Sequence, residues 1–398
     1  MRRHLLQDMI DKYCPNGVNE YLISEIGTVS NGKSNAQDEV ANGEFPLYVR
    51  SPKVLKTDYY TFDDESIIIP GEGGIGEIYH YVNGKYAIHQ RCYRINFNNN
   101  PKVNCKYIFY CFKQYFKNYI HNITLIGTVK SIRKPMVEKF SVKLPPIEIQ
   151  NKIVEILDML YELSRELSRE LSLRNEQFKA YNHFLLTTYN WYKFFEYDEN
   201  SEKQIWEISV WDKKFKEVEK YKQEKTHRYK YLSAADAKEL IDDSNEIKIL
   251  ATSPKKWYTS KNKVLDWYQN LEVVSIPWGG SAKIQYYNGE FVTTDNRLCY
   301  SKDQNVILTQ YIYYFFLKNI NYIQSIYRGG ALQHPEMKKV LDMWIDIPPI
   351  EYQRLVVECL STIEDSRADI NIGLEKAIEL ENKRFNYYLN ELLNFDKY

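Results

Sequence analysis

Three stretches carry residue types that could do chemistry. Residues 27–34, GTVSNGKS, fit GxxxxGK[ST], in which backbone amides and Lys33 would cradle phosphates and Ser34 would help hold a metal. Such a loop works only between a buried strand and a helix whose first amides face the phosphates. The residues that follow, NAQDEVANGEFP, offer no apolar face and soon reach Gly43 and Pro46. A polar loop after a strand is the plainer reading; a nucleotide hydrolase using Lys33 and Ser34 stays open as an alternative. Residues 71–76, GEGGIG, fit GxGxxG, but dinucleotide binding also needs a helix next. The following EIYHYVNGKYAI alternates like a strand and then meets an Asn-Gly step, so a tight β connection turning at Asn-Gly is expected. Glu246-Ile247-Lys248, with Asp242 and Asp243 just before it, has the ExK triplet of metal-dependent nucleases. The same triplet recurs at Glu381-Asn382-Lys383, and nothing makes these carboxylates converge as metal-assisted cleavage requires. The seven histidines suggest no triad. The sequence predicts neither a catalytic site nor a metal site in this chain.

What remains is binding. Lys130-Ser131-Ile132-Arg133-Lys134 follows Gly127, and Arg328-Gly329-Gly330, with Gln333 and His334, holds the matching place 203 residues on. Glycine allows close backbone approach, while Arg, Lys, Gln and Ser suit phosphates and base edges. A strongly basic segment, residues 213–230, holds eight Lys and Arg against three Glu.

The bulk composition narrows the classes. Lys and Arg number 53 and Asp and Glu 53, so no uniform basic coat exists, although a local basic face would suffice for nucleic acid. Tyrosine, 35 residues, suits wet interfaces where a ring packs and a hydroxyl bonds. Mean hydropathy is −0.54, and no run of about 18 apolar residues predicts a membrane span. The start, MRRHLLQDMIDKYC, lacks the apolar core of a signal peptide, so a cytoplasmic location is expected. Cysteines 14, 92, 105, 111, 299 and 359 form no paired spacing and are read as reduced thiols.

The elements that would position these loops are repeated. Residues 144–160 read LPPIEIQNKIVEILDML and residues 347–363 read IPPIEYQRLVVECLSTI, identical at eight of seventeen positions. Proline fixes φ and disfavours helix before it, so each Pro-Pro marks a helix start. After the first, Ile153, Ile156, Leu160, Leu163 and Leu167 step by 3 and 4, a narrow coiled-coil seam; Leu171, Phe178, Tyr181 and Leu185 continue it after a stutter. Glu170 and Arg174 make a supporting exposed pair. After the second, Val356, Leu360, Ile363, Ile370 and Leu374 repeat the seam. Each helix follows a mixed, strand-rich region: residues 65–70 (ESIIIP) read as strand and residues 107–120 as helix. Pro277-Trp278-Gly279-Gly280 and residues 311–317 echo those landmarks.

The duplicated LPPIEIQ/IPPIEYQ step, the long helix after each copy and the two dissimilar globules resemble the specificity subunit of type I restriction–modification systems. The resemblance covers essentially the whole chain, and residues 155–186 look like the family's central conserved region. It departs where many members have a second acid before the Gln, since Ile149 and Tyr352 stand there. It implies an α+β chain with two mixed target recognition domains separated by two long antiparallel helices, a pseudo-twofold repeat. The expected domains are 1–146, spacer 147–190, 191–348 and spacer 349–398. It implies double-stranded DNA as ligand, read as two half-sites, and modification (methyltransferase) subunits docked on the helices, with restriction subunits as further partners. S-adenosylmethionine, ATP and Mg are expected on those partners, with no cofactor in this chain. Polarity and loop position nominate DNA-contacting residues: Lys33, Arg50, Lys53, Lys130, Ser131 and Arg133 in the first unit, and Lys255, Lys256, Lys261, Ser281, Arg328 and Gln333 in the second. A coiled-coil scaffold with protein-binding globules is the other alternative.

Overall fold

The computed structural model describes residues 12–15, 17–97, 100–123, 131–187, 201–223, 225–265, 267–330 and 332–395. The chain divides into two units, Met1–Arg169 with Leu374–Tyr398, and Glu170–Gly373. Among the described residues no helix is long and apolar enough to cross a membrane. All six cysteines are free, five of them buried.

The first unit opens with β1 (Glu20–Leu22), α1 (Ile23–Ile26) and β2 (Thr28–Asn31). β3 (Phe45–Tyr48), β4 (Leu55–Thr57), β5 (Phe62–Pro70), β6 (His80–Ile88) and β7 (Cys92–Asn96) follow. These last six strands form one sheet in the order β2-β7-β5-β6-β3-β4. Only β3 and β6 pair in parallel. The aromatic run then forms α2 (Cys105–Cys111), a π-helical turn over Phe112–Phe116 and α3 (Lys117–Ile123). Asn104 caps α2, its Oδ1 accepting from the Tyr107 amide at 3.0 Å. After α4 (Lys134–Glu138), β8 (Ser141–Lys143) returns to pair with β1, and α5 (Ile147–Leu185) begins.

The second unit repeats the plan. Its elements are β9 (Glu202–Gln204), α6 (Ile205–Ile208), β10 (Ser209–Trp211), α7 (Ala234–Leu240), β11 (Ile247–Leu250), β12 (Tyr258–Thr259), β13 (Gln269–Pro277), β14 (Gln285–Thr293) and β15 (Asn296–Ser301). Then come α8 (Thr309–Lys318), α9 (Ile320–Ser325), the hairpin β16 (Tyr327–Arg328) and β17 (His334–Pro335), α10 (Met337–Leu341), β18 (Trp344–Asp346) and α11 (Ile350–Leu393). The sheet order, β10-β15-β13-β14-β11-β12, matches the first strand for strand, and β18 pairs with β9 as β8 does with β1.

The Asn-Gly expected to turn the chain lies instead inside β6, and its copy lies inside β14. Gly84 and Gly289 take φ of +110° and +142°, which breaks the pleat where only glycine is unstrained. The antiparallel neighbour β5 runs along His80–Tyr86, whereas the parallel neighbour β3 engages only Ala87 and Ile88, beyond the glycine. β14 likewise meets β11 only from Phe291 onward. The glycine therefore lets one strand serve two neighbours.

Both Pro-Pro steps start helices, of 39 residues for α5 and 44 for α11. The Gln of each step explains the motif. Gln150, fully buried, donates to the carbonyls of Lys102 (2.8 Å) and Pro145 (2.7 Å) and accepts from the Asn104 amide (2.9 Å). Gln353, equally buried, donates to Val306 (2.9 Å) and Pro348 (2.8 Å) and accepts from the Leu308 amide (3.0 Å). Each amide thus ties the first turn of a long helix to the loop that launches the helix covering the sheet.

Within the first unit, Ile153, Ile156, Leu157 and Leu160 of α5 join Phe385, Leu389 and Leu392 of α11 in the core beneath α2. Within the second, Phe178 of α5 and Val356 and Leu360 of α11 join the core of α8, with Ile363 packed against it. Each fully buried aliphatic there contributes about 1.5–3 kcal/mol. Partner order shows antiparallel helices in each unit. Tyr161 meets Phe385 and Ser164 bonds Asn382 (2.9 Å) in the first; Asn175 bonds Asn371 (3.1 Å) and Phe178 meets Arg367 in the second. The expected apolar seam does not persist along these segments. Leu163 and Ile370 are 45% and 41% exposed, and Leu167 and Leu374 only partly buried, because Ser and Asn side chains occupy the facing positions. The Glu170–Arg174 pair forms at 2.7 Å.

Candidate nucleic-acid interface

In the first unit, backbone bonds gather four strand-connecting loops and the segment before α4. The Ser34 amide donates to Ile88 and its carbonyl accepts from Gln90; the His89 amide donates to Tyr48. The Gly71 amide donates to Arg91, and Ile132 donates to Gly71. Lys33, Arg50, Lys53, Ser131 and Arg133 are exposed on these loops. Lys130 lies outside the described residues.

Their electrostatic centre is a residue with no sequence signal. Glu72 sits between Arg50 (3.1 Å) and Arg91 (2.7 Å), and chiefly Arg91 holds its carboxyl below the usual range. Burial, then Arg50 and Arg91, push the His89 imidazole down, so it is neutral near pH 7. Gln90 bonds Asn35 (2.8 Å), adding an amide to the same surface. The result is a polar face with fixed guanidinium donors, the geometry that suits phosphate and guanine edges.

The second unit builds its face differently. The Gly280 amide donates to the Gln333 carbonyl (3.1 Å), joining the β13–β14 loop with Ser281 to the β16–β17 hairpin. Trp278 and His334 stack with centroids 4.9 Å apart, and His334 Nδ1 donates to the Trp278 carbonyl (2.6 Å). Lys213 and Arg297 lie over the Trp278 ring at 5.1 and 4.8 Å. Arg297, 1% exposed, pairs with Asp212 (3.2 Å) and with Asp295. Arg328 is engaged by Glu336 (3.3 Å) and by the Ser325 and Tyr327 carbonyls. Lys255 and Lys256 border a separate cleft of about 860 Å³ that also includes Lys248, Tyr258 and Gln285. Lys261 joins neither group, its ammonium being held by Glu290 (2.7 Å). Trp278 was legible only as a repeat landmark, and Lys213 only as part of a basic run.

The chemistry-like motifs resolve into structure. After Ser34 comes a single 3-10 turn, Ala36–Asp38, rather than a helix, and a Cβ on Gly32 would strike the Ile88 carbonyl. That glycine serves close strand packing rather than a phosphate. Residues 71–76 lead into β6, not into a helix. Asp242 accepts from Lys263, Ser244 and Ser260, and Glu246 accepts from the Lys261 amide, so both carboxylates fix a loop. Among the described residues no three His, Cys, Asp or Glu side chains gather as a metal set.

The family model for the type I restriction modification DNA specificity domain matches residues 15–173 and again 197–380, one match for each copy of the sheet. The chain belongs to this specificity-domain family. A Mycoplasma pneumoniae protein described as a type I specificity subunit is 21% identical over 95% of this chain and 98% of its own length. The Escherichia coli EcoR124I/EcoR124II specificity subunit is 25% identical over 63% of this chain and 60% of its own. A crystal structure of the S subunit of a type I restriction-modification system from M. genitalium shares the fold, with TM-score 0.58, 13% identity, and coverage of 95% of this chain and 97% of that one. The specificity-family match sets aside both the nucleotide hydrolase and the bare coiled-coil scaffold.

Proposed function

We propose that this chain reads a split duplex DNA target, each unit contacting one half-site through the loops just described, and that it supplies no chemistry itself. The carrying observation is that one strand order recurs in both sheets while the loop chemistry differs, as two readers of unlike half-sites require. Methyl transfer with S-adenosylmethionine belongs to modification subunits, and ATP- and Mg-dependent translocation and cleavage to restriction subunits, all in the cytoplasm. Exposed Tyr161, Leu163, Leu173, Leu355 and Leu380 along α5 and α11 offer apolar surface for the modification subunits. Lys33, Arg50, Lys53, Ser131 and Arg133, with Lys255, Lys256, Ser281 and Gln333, are the proposed DNA contacts.

The test sequences methylated adenines in a host expressing the chain with its modification subunits. Four residues inserted into residues 162–174, with four more in the companion stretch 372–384, add about 6 Å of helix at 1.5 Å per residue. The expected target keeps both half-sites and gains roughly 2 bp of spacer at 3.4 Å per base pair. An unchanged spacer would refute the helices as the ruler, and methylation without a split target would refute the DNA-reading role.

A further inference from the structure

The connection between β10 and β11, residues 212–246, differs in kind from its counterpart. The matching β2–β3 connection, residues 32–44, carries one Lys against three carboxylates, whereas residues 213–230 alone carry eight cations against three. The basic segment is anchored rather than trailing. Phe215 and Val218 are buried in the unit's main core, and Tyr229 in a second cluster. Gln223, 6% exposed, clasps the turn: it accepts from the Phe215 amide (2.5 Å) and donates to the Phe215 and Val218 carbonyls (3.0 and 2.8 Å). A bridge from Thr226 to Trp211 and a bond from the His227 amide to the Trp211 carbonyl (2.9 Å) pin the return.

Between and just outside these anchors Lys214, Lys216, Lys220, Lys225, Arg228 and Lys230 all face solvent. Three nearby acids are engaged, Glu219 by Lys338 and Lys222, Asp342 by Lys222 and Asp212 by Arg297, while Glu217 stands exposed among the lysines. Among the described residues no carboxylate pairs with Lys214, Lys216, Lys225 or Arg228. Lys213, at the head of the segment, covers Trp278, so the basic surface begins at the reading face. Lys213 and Lys225 also share the rim of a hollow of about 460 Å³.

We propose that Lys214, Lys216, Lys220, Lys225, Arg228 and Lys230 form a phosphate-binding strip that grips duplex DNA beside the second half-site, adding affinity without reading bases. This rests on the DNA-reading role proposed above. Cations held on a folded turn lose less entropy on contact than those on a free tail, and phosphate contacts carry no sequence information. The second unit therefore supplies more of the salt-sensitive affinity than the first.

The test uses the full chain assembled with its modification subunits and carrying Lys214→Ala, Lys216→Ala, Lys225→Ala and Arg228→Ala together. Affinity for a target duplex is measured from about 50 to 200 mM salt. The slope of log K against log salt is expected to fall by roughly two to four, at about 0.9 per lost phosphate contact, while the methylated sequence stays the same. A companion variant, Lys214→Arg, Lys216→Arg and Lys225→Arg, should keep the wild-type slope. An unchanged slope in the alanine variant overturns the strip and leaves the reading role standing. Loss of the modification subunits with an unchanged slope also overturns it, assigning the surface to a protein. Wild-type affinity that does not vary with salt removes the strip, and a wild-type complex with no preference for its methylated target removes the reading role.

Discussion

Arg94 in the first unit and Arg297 in the second each pair with an aspartate against the six-stranded sheet, but in different surroundings. Asp64, its side chain 26% exposed, accepts from Arg94, from Ser66 (2.6 Å) and from Tyr86 (2.6 Å). Burial pushes its pKa up, but those hydrogen bonds outweigh burial and hold it below the ordinary value. Asp212 is fully buried opposite Arg297; there burial wins over the guanidinium and lifts the carboxyl to about 6. Two sheets with one strand order thus tolerate opposite solutions for a charged pair. What fixes the scaffold is strand pairing and the helix clasp; what varies is how much water reaches the polar groups beside the loops.

The sharpest way to break this comparison is to remove each aspartate. Asp212→Ala leaves Arg297 buried with only Asp295, whose side chain is 60% exposed, and should cost about 3–5 kcal/mol. Asp64→Ala should cost about 1–3 kcal/mol, since Arg94 keeps bonds to Tyr86 and Ser30. Urea unfolding of the full chain checks both, and equal losses would erase the distinction. Next come Gln150→Ala and Gln353→Ala, which strip matching sets of three bonds from main-chain amides and carbonyls at each helix start. Each should cost about 1–3 kcal/mol, and the two losses should match within about 1 kcal/mol if the clasps are equivalent. The smallest effect is a difference of sign with pH. Asp212 binds its proton more tightly folded than unfolded, so its contribution is full below its unfolded pKa near 3.8 and declines as pH rises through about 6. Asp64 is depressed, so its contribution is full above its unfolded value and is lost as pH falls through the folded one. The stability gap between wild type and Asp212→Asn should therefore shrink from acid toward neutrality, while the gap for Asp64→Asn grows. Parallel trends would contradict the pKa directions.

Much of the framework was legible because it repeats. Pro146 and Pro349, the periodic apolar residues after them and the 203-residue offset mark the two helix starts in the sequence itself. The seam was over-read at Leu163 and Ile370, because helical spacing alone does not reveal that Asn382 and Asn175 line their segments. The Asn83-Gly84 step reads as a turn because hairpin and mid-strand kink demand the same positive φ, and only the neighbouring strands tell them apart. Loop residues were the least legible. Polarity and loop position single out Arg50 but not its partners Glu72 and Arg91, which strand pairing brings to it from farther along the chain.

The glutamine clasps have a mechanical consequence. Because Gln150 and Gln353 grip main-chain atoms of residues 102–104 and 306–308, this part of the joint survives side-chain changes in the loop it holds, while Tyr110 on Asp158 and Tyr313 on Glu364 brace the helices further along. Loop tips can diverge freely while the joint keeps its angle, much as a tool holder accepts different bits without being re-machined.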